Sequence, residues 1–524
     1  MEVEGLSHTL WDRLPALASV ALFTIAVYAV SSLWSGKSTL PLLGADYGNA
    51  TQRRKEYMTS AAKLYQKGYD IFRYQAYRMT TLNGDRIVVP PGVLEELRSM
   101  PDDVVNNSAG LNIRVMLTSP TEIESKYTGL VSDSGFAAHM VRSDLTRSLN
   151  RINPDLAAEA EQTVHEVLGP CNDWTSQVAF TQLLRIVAIV SGRIFLGPVL
   201  CRREEYIYAS TMYTVDVFKA VRKLKEWHEL LRPIAQYFIP ELKTLAEHRR
   251  KARDFLAPVM QERKEAMKNG GELPDDMLQW MMNKAESNGV SDDRLAQLQL
   301  DLSLAAIHTT TMAVTDLLCD VVIRPDLVDE LRAEIKQVLR NHDGVFTTHA
   351  LYEMKLLDSV MRESQRWNPI GQARFARYIT KPVTLKDGTQ IPAGIFIETP
   401  LGPVNHDPKL YPEPDIFDPH RFHDLRNATK PDPINYKTRE QYQYVTVTKE
   451  NMAFGYGKHA CVVPVVSLPA NEIKLIMAHI LLQYNLRMPN GATERYSRLV
   501  QGASETPDPT VKIEFRRAQS NSHV

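Results

Sequence analysis

FGYGKHACVVPVVSLPANEIKLI, residues 454–476, is the stretch on which the reading of this chain turns. Its first half has the form F-x-x-G-x-x-x-C, with Phe454, Gly457 and Cys461 at the fixed positions. Gly455 and Gly457 flank Tyr456, so the backbone can turn tightly and approach a flat ligand closely. A lone cysteine on such a loop suits a thiolate ligand, which needs a metal or positive surroundings to stay ionised. Lys458 and His459 supply positive charge beside it. The second half carries a helical pattern interrupted by Pro464 and Pro469. Proline is tolerated in a first helical turn but costs about 3 kcal/mol in a helix interior.

Three further segments bear on that cysteine. Glu363 and Arg366 stand at i and i+3 of a helical stretch, so they share a face. Pro419-His-Arg421-Phe422 closes the run VNHDPKLYPEPDIFDPHRF. Ala305-Ala-Ile-His308-Thr309-Thr310 lies in the middle of a long helical signal from Ser291 to Arg324. Ser291 is a suitable N-cap, Asp292 and Asp293 suit the positive end of the dipole, and Pro325 marks the end. The middle of that segment is apolar nearly all round, so the helix is expected to cross the interior.

Elsewhere, helical signals dominate from about residue 61 to 335, with strand signals at 82–90 and 377–399, the latter turning at Asp387-Gly388. The expected fold is mainly α with small antiparallel β-sheets (α+β) in one large domain. The expected organisation is a tail over 1–13, a membrane helix over 14–34, a polar linker over 35–60 and the domain over 61–524. Leu14–Trp34 is 21 residues without a charge, and at ~1.5 Å per residue it matches a hydrocarbon core of about 30 Å. Acids precede it and Lys37, Arg53, Arg54 and Lys55 follow, which places the body on the cytosolic side. Asn49, Asn106 and Asn427 head N-x-S/T triplets that are chance matches for such a body. The chain has 524 residues, a formal charge of −1 and four scattered cysteines, so nothing points to nucleic acid, a zinc site or a disulfide framework.

Taken together the four motifs, in this order and spacing, resemble the cytochrome P-450 superfamily of haem-thiolate monooxygenases over roughly residues 40–515. The cysteine loop is similar to the family's haem-binding loop, Glu363–Arg366 to its E-x-x-R helix, Pro419–Phe422 to its P-x-R-F element, and Ala305–Thr310 to its A-G-x-[DE]-T-T segment. The resemblance implies haem b with Cys461 as the iron's axial ligand, a ligation that favours O–O cleavage. Phe454 and Gly457 shape that loop. Arg421 is implied as the third member of a buried triad with Glu363 and Arg366, which holds the loop and does no chemistry. Thr309 is implied as the hydroxyl that delivers protons at a widened turn of the central helix. His308 stands where the family usually has an acid, a departure that admits a proton-relaying role or a plain interior histidine. Histidine here resembles some fungal members acting on terpenoid skeletons. Arg377, His459 and Arg142 fit the family's cations for the haem propionates, although Ala138 replaces the usual tryptophan before Arg142 and His139 is a substitute. Substrate contacts are implied for Ala305 near Thr309, for Ile370 to Ala373, and around Gly502 to Ser504.

The resemblance further implies electrons from NADPH through a separate reductase, docked on the Cys461 side near Lys458. Dioxygen and a hydrophobic small molecule would be co-substrates, the lipid bilayer a partner, and the endoplasmic reticulum membrane the location, with a single pass. The family usually has glycine or alanine two residues after the cysteine, where Val463 stands, and Asn471-Glu472 lies about two residues further from the cysteine than in fungal relatives. VVPVVSLP (462–469) thus reads as an error at an exon junction, a true insertion on a bulged loop, or a variant that binds haem poorly. A haem-thiolate isomerase or dehydratase, and a catalytically impaired haem protein, stand as alternatives to the monooxygenase.

Overall fold

The computed structural model describes residues 38–82, 84–106, 125–128, 134–227, 231–458, 460 and 463–519. The membrane helix expected at 14–34 lies outside them. So do Cys461 and His459.

Helices make most of the body, as expected. The central one, α6 (Asp292–Val322), begins where the sequence places it: the Ser291 hydroxyl accepts from the Arg294 N–H at 3.3 Å, with Asp292 and Asp293 in the first turn. Its last nine residues, from Val314 to Val322, are all buried. It packs against α3 (Ala179–Leu196), α4 (Glu204–Lys225) and α5 (Pro240–Asn269). α2 (Thr146–Leu168) lies against α3 and against α8 (Val463–Gln483), the helix behind the cysteine. α7 (Lys355–Trp367) carries Glu363 and Arg366 and also packs on α6. α3 and α6 are long and apolar enough to cross a membrane, but both are largely buried within the body and are its core helices.

The largest sheet is mixed, which corrects the expectation of purely antiparallel pairing. Its strand order is β1 (Leu42–Leu43), β2 (Tyr77–Thr81), β3 (Gly84–Val88), β6 (Ile395–Pro400), β5 (Ala373–Ile379) and β4 (Val105–Asn106). β2–β3 and β5–β6 are antiparallel, whereas β1–β2 and β3–β6 are parallel, with Ile87 opposite Ile397. Parallel neighbours need a long crossover, and β3 and β6 are separated by nearly all the helices. The turn at Asp387-Gly388 closes a small hairpin of its own between β5 and β6.

A second correction concerns the linker. Within 35–60, β1 pairs into the sheet and α1 (Ala50–Ile71) starts at a capping box. The Asn49 side chain accepts from the N–H groups of Thr51 and Gln52, and the Gln52 side chain accepts from the Asn49 N–H at 2.8 Å. The boundary at 60/61 falls inside α1, whose Ala61, Leu64 and Tyr65 are buried.

Candidate active site

Glu363 is fully buried, and its cost is met by complete pairing. Arg366 grips it with two parallel N–H···O bonds, both 2.8 Å, and Arg421 reaches both oxygens at 3.1 and 3.2 Å. The Asp418 N–H adds a third partner at 2.9 Å. The spare donors of Arg366 bind the carbonyls of Asn405 and Pro414, and those of Arg421 bind Glu413 and Ile416. One carboxylate thus fastens the helix α7 to the irregular 405–421 segment. The structure brings all three expected members together.

In front of this frame lies a cavity of about 460 Å³, within the size range of ligand pockets. The open face of α6 forms one wall through Ala305, Ala306 and Thr309, and the loop Ala453–Gly455 forms another. Ile370 and Phe454 line it. Phe454 is held edge-on to Tyr444, ring centroids 5.3 Å apart. Gly455 and Gly457 both have positive φ, 87° and 79°. At Gly457 a Cβ would lie 2.9 Å from that of Arg98, so the turn and the close approach both require glycine.

Other expected residues lie elsewhere. Ala373 packs away from the cavity, against the cluster that contains Ala61 and Tyr65. Arg142 is exposed, as is His139, although their neighbour Val141 lines the cavity. The hairpin Leu499–Thr506 that holds Gly502 to Ser504 docks by its backbone, the Gln372 N–H donating to the Ala503 carbonyl at 2.8 Å. His308 does not line the cavity. Its Nε2–H donates to the Thr211 carbonyl at 2.8 Å and so ties α6 to α4. Burial pulls the His308 imidazole below its ordinary pKa, which keeps it neutral near pH 7. Nor does α6 widen at Ala306: it stays α-helical there, and the Thr309 hydroxyl donates to the Ala305 carbonyl at 2.7 Å.

Arg377 is buried and has no carboxylate partner among the described residues. Its guanidinium donates to the carbonyls of Ala376 and Tyr456, at 2.8 and 3.2 Å, and it borders a small cleft with Arg98, Gly457 and Lys458. Desolvation lowers its pKa to about 10, so it remains charged. Sequence reasoning missed a second such arginine. Arg374 lines the cavity itself, with Nε 3.3 Å from the Ala453 carbonyl. A bulge explains why arginines three apart both reach the 453–456 loop: between the Arg374↔Thr399 and Arg377↔Ile397 pairs, β5 has one residue more than β6. Phe375, within the bulge, takes φ 55°, a left-handed conformation rare for a bulky residue.

The cysteines that are described offer no rival ligand. Cys171, Cys201 and Cys319 are buried and free, and burial pushes the thiols of Cys201 and Cys319 up to about 12. Behind the loop, α8 includes Pro469 yet docks normally through its second half. The Ser191 hydroxyl donates to the Glu472 carboxyl oxygen at 2.7 Å, and Lys474 pairs with Asp358 at 2.9 Å.

The family model for cytochrome P450 matches residues 145–513. The chain belongs to the cytochrome P450 family. It is 32% identical over 501 residues to the cytochrome P450 monooxygenase braC of Annulohypoxylon truncatum, covering 94% of this chain and 96% of that one. It is also 32% identical over 528 residues to the cytochrome P450 monooxygenase adrA of Penicillium rubens, covering 97% and 98%, and 31% identical over 467 residues to ATR3 of Stachybotrys chlorohalonatus, covering 88% and 95%. These are fungal monooxygenases, and membership makes this P450 an oxidoreductase of the haem-thiolate kind. The cavity fits such a group. Its walls are mostly apolar, the glycines of the loop admit a flat macrocycle, and beside it Arg377 is a buried cation with no anionic partner among the described residues.

Proposed function

We propose that this P450 inserts one oxygen atom from O2 into a hydrophobic small molecule, a terpenoid or related secondary metabolite. The observation that carries the reading is the cavity enclosed by the Thr309 face of α6 and the loop leading to Cys461, with the Glu363–Arg366–Arg421 clamp behind it. Cys461 would hold the haem iron through its thiolate, with Arg377 and His459 as cations for the propionates. Bound there, the haem supplies oxygen activation and C–H oxidation. The chain's own residues do the rest. Phe454, Ala306 and Ile370 exclude water and hold an apolar skeleton. The Thr309 hydroxyl, bonded to the Ala305 carbonyl, is placed to hand on a proton at its Oγ1. His308, neutral and engaged with Thr211, fixes the helix that presents Thr309.

Electrons would come from NADPH through a separate reductase docking near Lys458. An endoplasmic reticulum location, with 14–34 as the single membrane pass and the body cytosolic, agrees with a cluster of exposed apolar side chains between α4 and α5, namely Leu231, Ile234, Tyr237 and Phe238. The test is the reduced, carbon-monoxide-bound spectrum of the purified chain, with Cys461→Ala as control. A thiolate-type Soret band that disappears in the variant is the expected result. Haem loading and spectrum unchanged in Cys461→Ala would overturn the assignment.

A further inference from the structure

The cavity contains a charge that the monooxygenase reading does not use. Arg374 is one of its wall residues, together with Ile370 and Thr309. Its Nε donates to the Ala453 carbonyl at 3.3 Å and its Nη1 to the Ala373 carbonyl at 3.1 Å, while Nη2 has no hydrogen bond among the described residues. No described carboxylate pairs with it. The acid in the same wall, Asp316, is already held by Arg495 and by Arg498 at 3.2 Å. Most buried arginines of the body are satisfied, as Arg366, Arg421 and Arg263 are by Glu363 and Asp276. A guanidinium remains charged in any protein environment. An unpaired one facing an apolar chamber is costly unless something that enters the chamber supplies the anion.

The proposed function gives the anionic edge of the porphyrin another partner. Arg377, three residues on, lies with Arg98 and Lys458 along the cleft beside Gly457, outside the main cavity. The bulge at Phe375 gives the two arginines different addresses on one face: Arg377 at the loop's edge, Arg374 inside the chamber.

We propose that Arg374 recognises a carboxylate on the substrate, so that this P450 acts on apolar carboxylic acids. The inference names the substrate class of the monooxygenase reading and rests on it. The planar fork of Arg374 binds the carboxylate, and the apolar walls take the skeleton, which directs oxidation to a carbon remote from the acid group.

The experiment uses the holoenzyme and isothermal calorimetry with two probes of one chain length, dodecanoic acid and 1-dodecanol. The wild type should bind the acid tighter by on the order of tenfold or more, as a hydrogen-bonded charge pair requires. Arg374→Gln should bring acid and alcohol to equal affinity and retain its haem, read by the pyridine haemochrome. Arg374→Lys should keep a reduced preference. Arg377→Gln should lose haem without changing the preference of the remainder. Equal affinities in the wild type, or no binding of either probe, would overturn the proposal. So would an acid preference that survives Arg374→Gln, or loss of haem from Arg374→Gln, which would assign the guanidinium to the porphyrin. A failure of the monooxygenase reading shows separately, in the carbon-monoxide band.

Discussion

Glu363 and Glu472 are both buried carboxylates, and their partners make them opposites. Glu363 has two arginines and a backbone N–H, so removing it strands two guanidinium groups in the interior. Glu363→Ala should therefore destabilise the fold by about 3–5 kcal/mol, measured by urea unfolding. Glu472 has one neutral partner, Ser191, and desolvation pushes its pKa up to about 8. Folding is then favoured by the protonated form. The contribution is complete below about pH 4.5, the ordinary value, and is lost as pH rises towards 8. Glu472→Gln should match the wild type near pH 4 and exceed it at pH 8 by on the order of 3 kcal/mol, since one pKa unit is worth about 1.4 kcal/mol. Equal unfolding midpoints for the two proteins at pH 8 would contradict this. The motif residues Glu363, Arg366 and Phe454 were legible as types at fixed spacing. Glu472 was legible only as part of a run, because its isolation depends on α3 packing over it.

At the scale of elements, the central helix is clamped from behind. Arg495 lies against Asp316 and Asp320, 2.6 Å from the latter, and Arg498 joins Asp316 to Glu505 at 3.2 Å each. This network fixes α6 relative to the hairpin Leu499–Thr506. Burial raises the Asp320 pKa to about 6 even with Arg495 present. Arg495→Met would leave two carboxylates facing each other in the interior. It should cost about 3–5 kcal/mol at pH 7.5 and clearly less at pH 5, where Asp320 takes up a proton without leaving the fold. Urea titrations at the two pH values check the difference, and a pH-independent loss would show that the carboxylates are not coupled through Arg495. The limits of α6 were legible because a serine cap, an acidic first turn and a following proline all act locally. The start of α1 was missed despite a capping box in plain view at Asn49 and Gln52, since the surrounding polar run gave no apolar period.

For the whole molecule, the exposed apolar side chains between α4 and α5 predict a lipid-facing surface. Tyr237→Ser together with Phe238→Ser should reduce partition onto phosphatidylcholine vesicles in a flotation assay, with the thermal midpoint unchanged because both are about 70% exposed. Undiminished partition would assign membrane attachment to other parts of the chain. The sequence alone determined the family, the helical character, the central helix and the residue types around the cysteine, because caps, periodicity and motif spacing are set by near neighbours along the chain. Only the tertiary structure decided that Arg374 faces the cavity while Ala373 turns away, and that His308 is spent on Thr211. Those directions follow from a bulge at Phe375 and a helix–helix contact, neither of which leaves a local trace.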